Sequence, residues 1–109
     1  MPQDERTGIE RLSALLTAVS SPQRLRILAA LAGGPVHVSG LARLVGMSRP
    51  LLYMHLAKLE EAGFVIGRLE LSPDGKALKI YDIAPFIVTV DIATIVAAAG
   101  PTHLTPTTD

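Results

Sequence analysis

Apolar residues in the first 63 positions of the chain recur with the period of an α-helix. Residues 8–20 carry an apolar side chain at every third or fourth position, which predicts a first amphipathic helix. Ser21 followed by Pro22 is typical of a helix start, because serine caps the first free N–H groups and proline needs no hydrogen bond there. The apolar period then continues to Gly33 and Gly34, so a second helix is expected between these signals.

Two further helices are predicted after the glycine pair, joined by a tight turn. Ser39 is expected to cap a short helix, and Gly46 and Met47 form the turn that follows it. The next helix has Ser48 as its N-cap, a proline in its first turn and Gly63 as its end. Two helices joined by such a turn are typical of the helix-turn-helix motif. Apolar residues at i, i+4 and i+7 predict a buried face on the second of them, made of Leu52, Leu56 and Leu59.

The next part of the chain has the alternating pattern of β-strands. Residues 64–71 and 77–83 are rich in β-branched and other apolar side chains, and 72–76 (Ser-Pro-Asp-Gly-Lys) has turn composition. A short extended piece at 35–38 is expected to pair with this hairpin. A helix-turn-helix followed by a hairpin is a winged helix, so the predicted fold is mainly α with a small β-hairpin wing, in the α+β class.

The last apolar segment permits two interpretations. Residues 86–90 are β-branched enough for a strand, but we favour a helix from about Phe86 or Val90 to Ala99, because the segment is alanine-rich and Gly100-Pro101 would end it. This helix would carry so few polar side chains that, in a small domain, we expect it to be buried against a second subunit. We expect one domain over 1–100 and a disordered tail over 101–109. The predicted homodimer uses the first and last helices through Leu12, Leu15, Leu16, Val19, Phe86, Ile92, Ile95 and Val96.

Composition and charge limit the classes of site and of partner that the chain can have. The chain has no cysteine, which excludes disulfides and thiolate metal sites, and no arrangement of catalytic groups points to an enzyme. No leader or bilayer-length apolar run is present, so we expect a cytoplasmic protein without membrane contact. Net charge is zero, yet eight basic residues stand against four acidic ones between Pro22 and Ile80. A basic middle section is the modest electrostatic footprint of a nucleic-acid partner.

The fourth helix offers the candidate contacts to double-stranded DNA. Opposite its leucines we expect Arg49, Tyr53, His55 and Lys58, side chains that can meet phosphates or base edges. Basic residues of the wing would neutralise further phosphates. The complete set of predicted DNA-binding residues is Arg43, Ser48, Arg49, Pro50, Tyr53, His55, Lys58, Arg68, Lys76 and Lys79.

Residues 12–83 resemble the ArsR-type winged-helix repressors of bacteria and archaea. The resemblance is carried by 21–28 (Ser-Pro-Gln-Arg-Leu-Arg-Ile-Leu), by 41–48 (Leu-Ala-Arg-Leu-Val-Gly-Met-Ser) and by 53–65, which includes His55 and the Leu-Glu-Glu-Ala-Gly ending. It implies a homodimer that represses transcription from a palindromic operator and leaves it when an effector binds. A small-molecule effector is therefore a further expected partner, and we place its pocket between the first and last helices.

The chain departs from the metal-sensing members of that family. Where they carry a Cys-x-Cys pair, this sequence has His37-Val38-Ser39, and its last helix offers only Asp91, with His103 beyond the proline. We therefore predict no metal and no other cofactor. The alternative function left open by the neutral net charge is a winged-helix module for protein contact without specific DNA binding.

Overall fold

The computed structural model describes residues 6–101 and divides into two compact units. One unit is 18–86, and the other combines the described parts of 1–17 and 87–109. No described helix combines the length and apolarity that crossing a bilayer requires. The elements in chain order are α1 (Gly8–Val19), α2 (Pro22–Leu31), β1 (Val36–His37), α3 (Val38–Val45), α4 (Arg49–Glu61), β2 (Val65–Leu71), β3 (Ala77–Ile83) and α5 (Ile92–Ala99).

The ends of α4 are fixed by local hydrogen bonds, as the sequence predicts. At its start the Ser48 hydroxyl accepts from the Leu51 N–H at 3.4 Å. At its end Gly63 takes φ +86°, its N–H donates to the Glu60 carbonyl at 3.0 Å, and the Phe64 N–H donates to the Leu59 carbonyl at 2.9 Å. These two bonds form a Schellman motif, which satisfies carbonyls that the end of a helix leaves free.

The start of α3 differs from the prediction that Ser39 caps it. His37 is the cap: its Nδ1 accepts from the Gly40 N–H at 3.1 Å, and the helix begins at Val38. The reason is that β1 runs directly into α3, so pairing with β3 already holds His37 in the extended conformation that a cap requires. Ser39 lies in the first turn, where its hydroxyl is available to other side chains.

The three strands form an antiparallel sheet in the order β1-β3-β2. Val36 pairs with Tyr81, and β2 pairs with β3 along its whole length, from Val65 opposite Ile83 to Leu71 opposite Ala77. The turn at 72–76 is closed by the Ser72 N–H, which donates to the Lys76 carbonyl at 2.8 Å. The predicted hairpin wing and the pairing of the short strand with it are both confirmed.

The core of the 18–86 unit is made from α2, α3, α4 and the base of the wing. Leu52, Leu56 and Leu59 are fully buried, which confirms the predicted inner face of α4. Phe64 is also buried, and its ring meets that of Phe86 edge to face with centroids 4.4 Å apart. The side chains that lose essentially all contact with solvent are Ile27, Leu31, Leu41, Leu52, Leu56, Leu59, Phe64 and Val65.

In the other unit, α5 begins later than predicted. Residues 86–90 form neither strand nor helix, and α5 starts at Ile92 because the Asp91 carboxylate accepts from the Thr94 N–H at 2.7 Å and from its hydroxyl at 2.6 Å. None of the side chains of α5 is buried. Gly8 at the start of α1 lies so close to the Ala98 carbonyl that a Cβ would not fit between them. The predicted disordered tail lies outside the described residues except for Pro101.

Candidate nucleic-acid interface

The outer face of α4 is open to solvent along its whole length. Because Leu52, Leu56 and Leu59 hold the other face in the core, the helix is fixed in rotation about its axis. The predicted contact residues Arg49, Pro50, Tyr53 and Lys58 are all exposed, as are Met54 and Ala57, which the prediction did not include. The predicted set therefore includes Pro50 but omits the other two apolar side chains of this surface, Met54 and Ala57.

A side-chain bridge joins the two helices of the helix-turn-helix. The Arg49 guanidinium at the start of α4 donates through Nη2 to the Ser39 hydroxyl on α3. The bond restricts the arginine to one side of α4 and leaves its other N–H groups free to donate. Ser48 and Arg43 are also exposed near this end of the motif. The sequence offers no signal for the bridge, because Ser39 and Arg49 are ten positions apart on different helices.

His55 is not on the outer face of α4, so its predicted placement there is wrong. Its side chain is only 8% exposed, and Nδ1 accepts a hydrogen bond from Arg24 Nε at 3.1 Å. The position explains the burial, because residue 55 follows Leu52 by three positions and precedes Leu59 by four, which places it on the core side of α4. Burial, and secondarily the Arg24 charge, lower the pKa of His55 below 6.5. The imidazole is therefore neutral at physiological pH.

Arg24 connects three parts of the 18–86 unit. Besides His55 of α4, it donates through Nη1 to the Ala18 carbonyl at 3.3 Å, while its own N–H lies 3.4 Å from the Ser21 cap. Arg24 is not among the residues that the sequence predicts for the DNA-binding surface. The periodicity does contain a signal for Arg24, which stands three and four residues before the buried Ile27 and Leu28.

The basic residues of the wing lie close to acidic or aromatic groups of the wing itself. Arg68 Nε is 2.8 Å from the Glu70 carboxylate, and Lys76 Nζ is 4.0 Å from Asp74. Lys79 Nζ lies 5.5 Å from the centre of the Tyr81 ring. All three cations are where the sequence places them, but two have a carboxylate beside them, so the positive field of the wing is weaker than a count of its basic residues suggests.

The described residues contain no group of three histidine or acidic side chains near enough to one another to bind a metal ion. The chemistry that the surface offers is thus hydrogen bonding, cation–phosphate attraction and apolar contact, arranged on an exposed helix with a hairpin beside it. These are the means by which winged-helix proteins bind a DNA duplex.

Comparison with known proteins agrees with this geometry. A family model described as the bacterial regulatory protein, arsR family, matches residues 21–66, from the cap of α2 to the second residue of β2. An uncharacterised HTH-type transcriptional regulator of Methanocaldococcus jannaschii is 38% identical over 74 residues, which are 68% of this chain and 77% of the relative. The match therefore covers most of that regulator and includes the motif that carries the exposed helix.

Two solved structures share the fold. The homodimeric winged helix-turn-helix DNA-binding domain of a Mycobacterium bovis protein, a possible ArsR-family transcriptional regulator, has a TM-score of 0.62 at 28% identity, covering 70% of this chain and 66% of that one. The transcriptional repressor BigR of Xylella fastidiosa has a TM-score of 0.59 at 26% identity, covering 70% and 72%. Proteins of this kind are transcriptional regulators and not enzymes. The chain belongs to the ArsR family of winged helix-turn-helix transcriptional regulators.

Proposed function

We propose that the protein is a dimeric repressor that binds a palindromic operator through α4 and the wing. The observation that carries the proposal is the division of α4 into a fully buried leucine face and an exposed outer face with Arg49 and Lys58 at its flanks. An exposed helix held so firmly by the core is suited to enter a major groove. The repressor role is supported by the similarity to the transcriptional repressor of Xylella fastidiosa.

The proposed contacts divide into two classes. Arg49, Pro50 and Tyr53 stand on the first turns of α4, where a recognition helix meets base edges. We assign the remaining residues to phosphates, where each contact made by a lysine or arginine adds about 0.9 to the steepness with which log K falls with log salt, whereas the neutral Ser48 adds nothing to it. These phosphate-binding residues are Arg43, Ser48, Lys58, Arg68, Lys76 and Lys79, and His55 is excluded by its burial.

The proposed dimer uses the apolar surfaces of α1 and α5. Ile92 is 75% exposed and no residue of α5 is buried, which is costly for a helix composed of isoleucine, valine, alanine and one threonine. Burial of these side chains against a second copy would remove that apolar area from water. The proposed interface residues are Leu12, Leu15, Leu16, Val19, Phe86, Ile92, Ile95 and Val96.

An effector pocket between α1 and α5 stays a prediction. A thiolate metal is not proposed as the effector, because the chain has no cysteine. In the proposed dimer the two α4 helices lie about one turn of DNA apart. A ligand that moved α5 would change this distance.

The DNA-binding test is a footprint of the purified chain on the DNA upstream of its own gene, repeated across a salt series. We expect the chain to protect a palindrome and to bind it less tightly as the salt concentration rises. In a Lys58→Ala variant the slope of log K against log salt should be smaller by about 1 for each Lys58 that contacts a phosphate in the dimer. The matched control is Arg26→Ala, an exposed arginine on α2 outside the proposed surface. A protein without any sequence-specific footprint under these conditions would instead be the protein-contact module.

The dimer test compares two exposed isoleucines by sedimentation equilibrium. Ile92→Glu places a charge in the proposed interface and is expected to yield monomers, whereas Ile87→Glu, at a site 92% exposed and outside the interface, should leave the dimer intact. An Ile92→Glu protein that remained dimeric and bound its operator normally would refute the assignment of α5.

A further inference from the structure

A strip of apolar side chains runs along the middle of the outer face of α4. Pro50, Met54 and Ala57 are spaced i, i+4 and i+7, the same spacing as the buried leucines, and all three are exposed. Met54 is 52% exposed. Since residue 50 stands about 200° around the helix from Leu52, this strip points directly away from the core.

Few side chains beside the strip can form hydrogen bonds with bases. The helix contains no asparagine, glutamine, serine or threonine, and its histidine is buried against Arg24. Asparagine and glutamine are the side chains that bind adenine with two hydrogen bonds, so this helix lacks that means of recognition. Arg49, near the start of the strip, and Lys58, near its end, are the residues of α4 suited to guanine.

The occupant that fits the strip is the major groove of a duplex. The strip lies between Arg49 and Tyr53 on one flank and Lys58 on the other, so each flank offers a cation to a polyanion while apolar atoms face the bases. The exposed Glu60 and Glu61 confine this arrangement to the first three turns of α4, because their carboxylates repel a polyanion at the end of the helix. The apolar group that a major groove exposes is the C5-methyl of thymine. Tyr53, 42% exposed beside Met54, enlarges the surface available to such methyl groups.

We propose that Pro50, Tyr53, Met54 and Ala57 determine operator specificity by contact with thymine methyl groups. The inference rests on the proposed function, because it requires α4 to enter the major groove. Recognition then depends on a group that uracil lacks and that 5-methylcytosine carries at the same place in the groove.

The test begins with selection of duplexes from a randomised library by the purified full-length chain. The selected duplex is then synthesised with uracil in place of individual thymines of each half-site. At the contacted positions, removal of one methyl group is expected to weaken binding about fourfold. Replacement of a contacted T·A pair by C·G should weaken binding further, and 5-methylcytosine in that pair should restore part of the loss.

A Met54→Gln variant separates contact from helix stability. Glutamine keeps the helix and can bind adenine, so the variant should lose the penalty for uracil at the base pair under residue 54 while it still binds the duplex. Leu25→Gln is the matched control, because Leu25 is equally exposed at 54% but lies on α2. That control should keep the full uracil penalty.

The outcomes distinguish the two proposals. If no duplex sequence is enriched, the proposed function fails and the strip is a protein-contact surface. If a sequence is enriched but uracil binds as well as thymine at every position, specific DNA binding stands and the thymine-methyl inference is overturned. A uracil penalty that Met54→Gln leaves unchanged at every base pair would overturn the role of Met54.

Discussion

The bond between Arg24 and His55 determines how α4 is attached to the rest of its unit. Arg24 Nε donates to the neutral imidazole at 3.1 Å, and Nη1 donates to the Ala18 carbonyl at 3.3 Å. Truncation by Arg24→Ala removes both donors and leaves His55 Nδ1 as a buried acceptor. We expect the variant to be less stable and to hold α4 less firmly.

The magnitude follows from the burial of the groups involved. Loss of a partner from a buried polar atom costs about 1–3 kcal/mol. Arg24 is half-buried, so water can reach part of the vacated space, and a loss of about 2 kcal/mol in the free energy of unfolding is expected. For an ordered region of this size that corresponds to a decrease of about 10 °C in Tm.

The assay is urea unfolding at pH 8, where His55 is neutral in both the folded and the unfolded chain. Arg26→Ala is the control, because Arg26 lies on the same helix but is exposed. A double-mutant cycle with His55→Leu should give a coupling of about 1 kcal/mol or more, since removal of both partners leaves no buried acceptor. Equal loss of stability in Arg24→Ala and Arg26→Ala, or a coupling near zero, would refute the reasoning.

Two further predictions concern the same helix. Burial and the Arg24 charge lower the pKa of His55, so as the pH falls the unfolded chain takes up a proton at a higher pH than the folded chain does. The stability that the neutral His55 contributes is therefore fully present above pH 6.5 and is lost as the pH falls through the folded pKa. At pH values below 6.5 the urea concentration at the unfolding midpoint should therefore decrease, and it should decrease less in a His55→Gln variant. An equal decrease in both proteins would contradict the assignment of this pH dependence to His55. Gly63→Ala should cost about 1–2 kcal/mol in urea unfolding, because residue 63 takes φ +86° while nothing lies within 4 Å of the added Cβ. An unchanged midpoint for that variant would mean that the end of α4 adapts.

The sequence predicts the fold well where local signals agree with the tertiary structure. Serine caps, the glycine stop at Gly63 and the leucine period of α4 all act within one element, so they could be interpreted without knowledge of any partner. The wing is similar, since its turn at 72–76 joins two strands that pair with each other. The same signals place most of the outer face of α4.

The errors arise where a contact with a residue distant in sequence determines the local structure. His55 was assigned to the outer face from its polarity, but Arg24, 31 positions earlier, supplies the hydrogen bond that permits its burial. Ser39 is a good cap by composition, yet strand pairing puts His37 in the cap position. Residues 86–90 have strand composition, but within the described chain they pair with no strand. Because β-propensity depends on packing against a neighbouring strand, composition alone does not produce a strand here.

The order β1-β3-β2 has a consequence for how the chain tolerates a break. The exposed turn at 72–76 is the place where a protease or an engineered split would cut most readily. After such a cut, β3 would belong to the C-terminal fragment, yet it would still be hydrogen-bonded on both sides to strands of the N-terminal fragment. The central position of β3 makes the protein a candidate for fragment complementation, in which the N-terminal fragment keeps the helix-turn-helix and the three-stranded sheet is completed only when a second piece of chain inserts its strand.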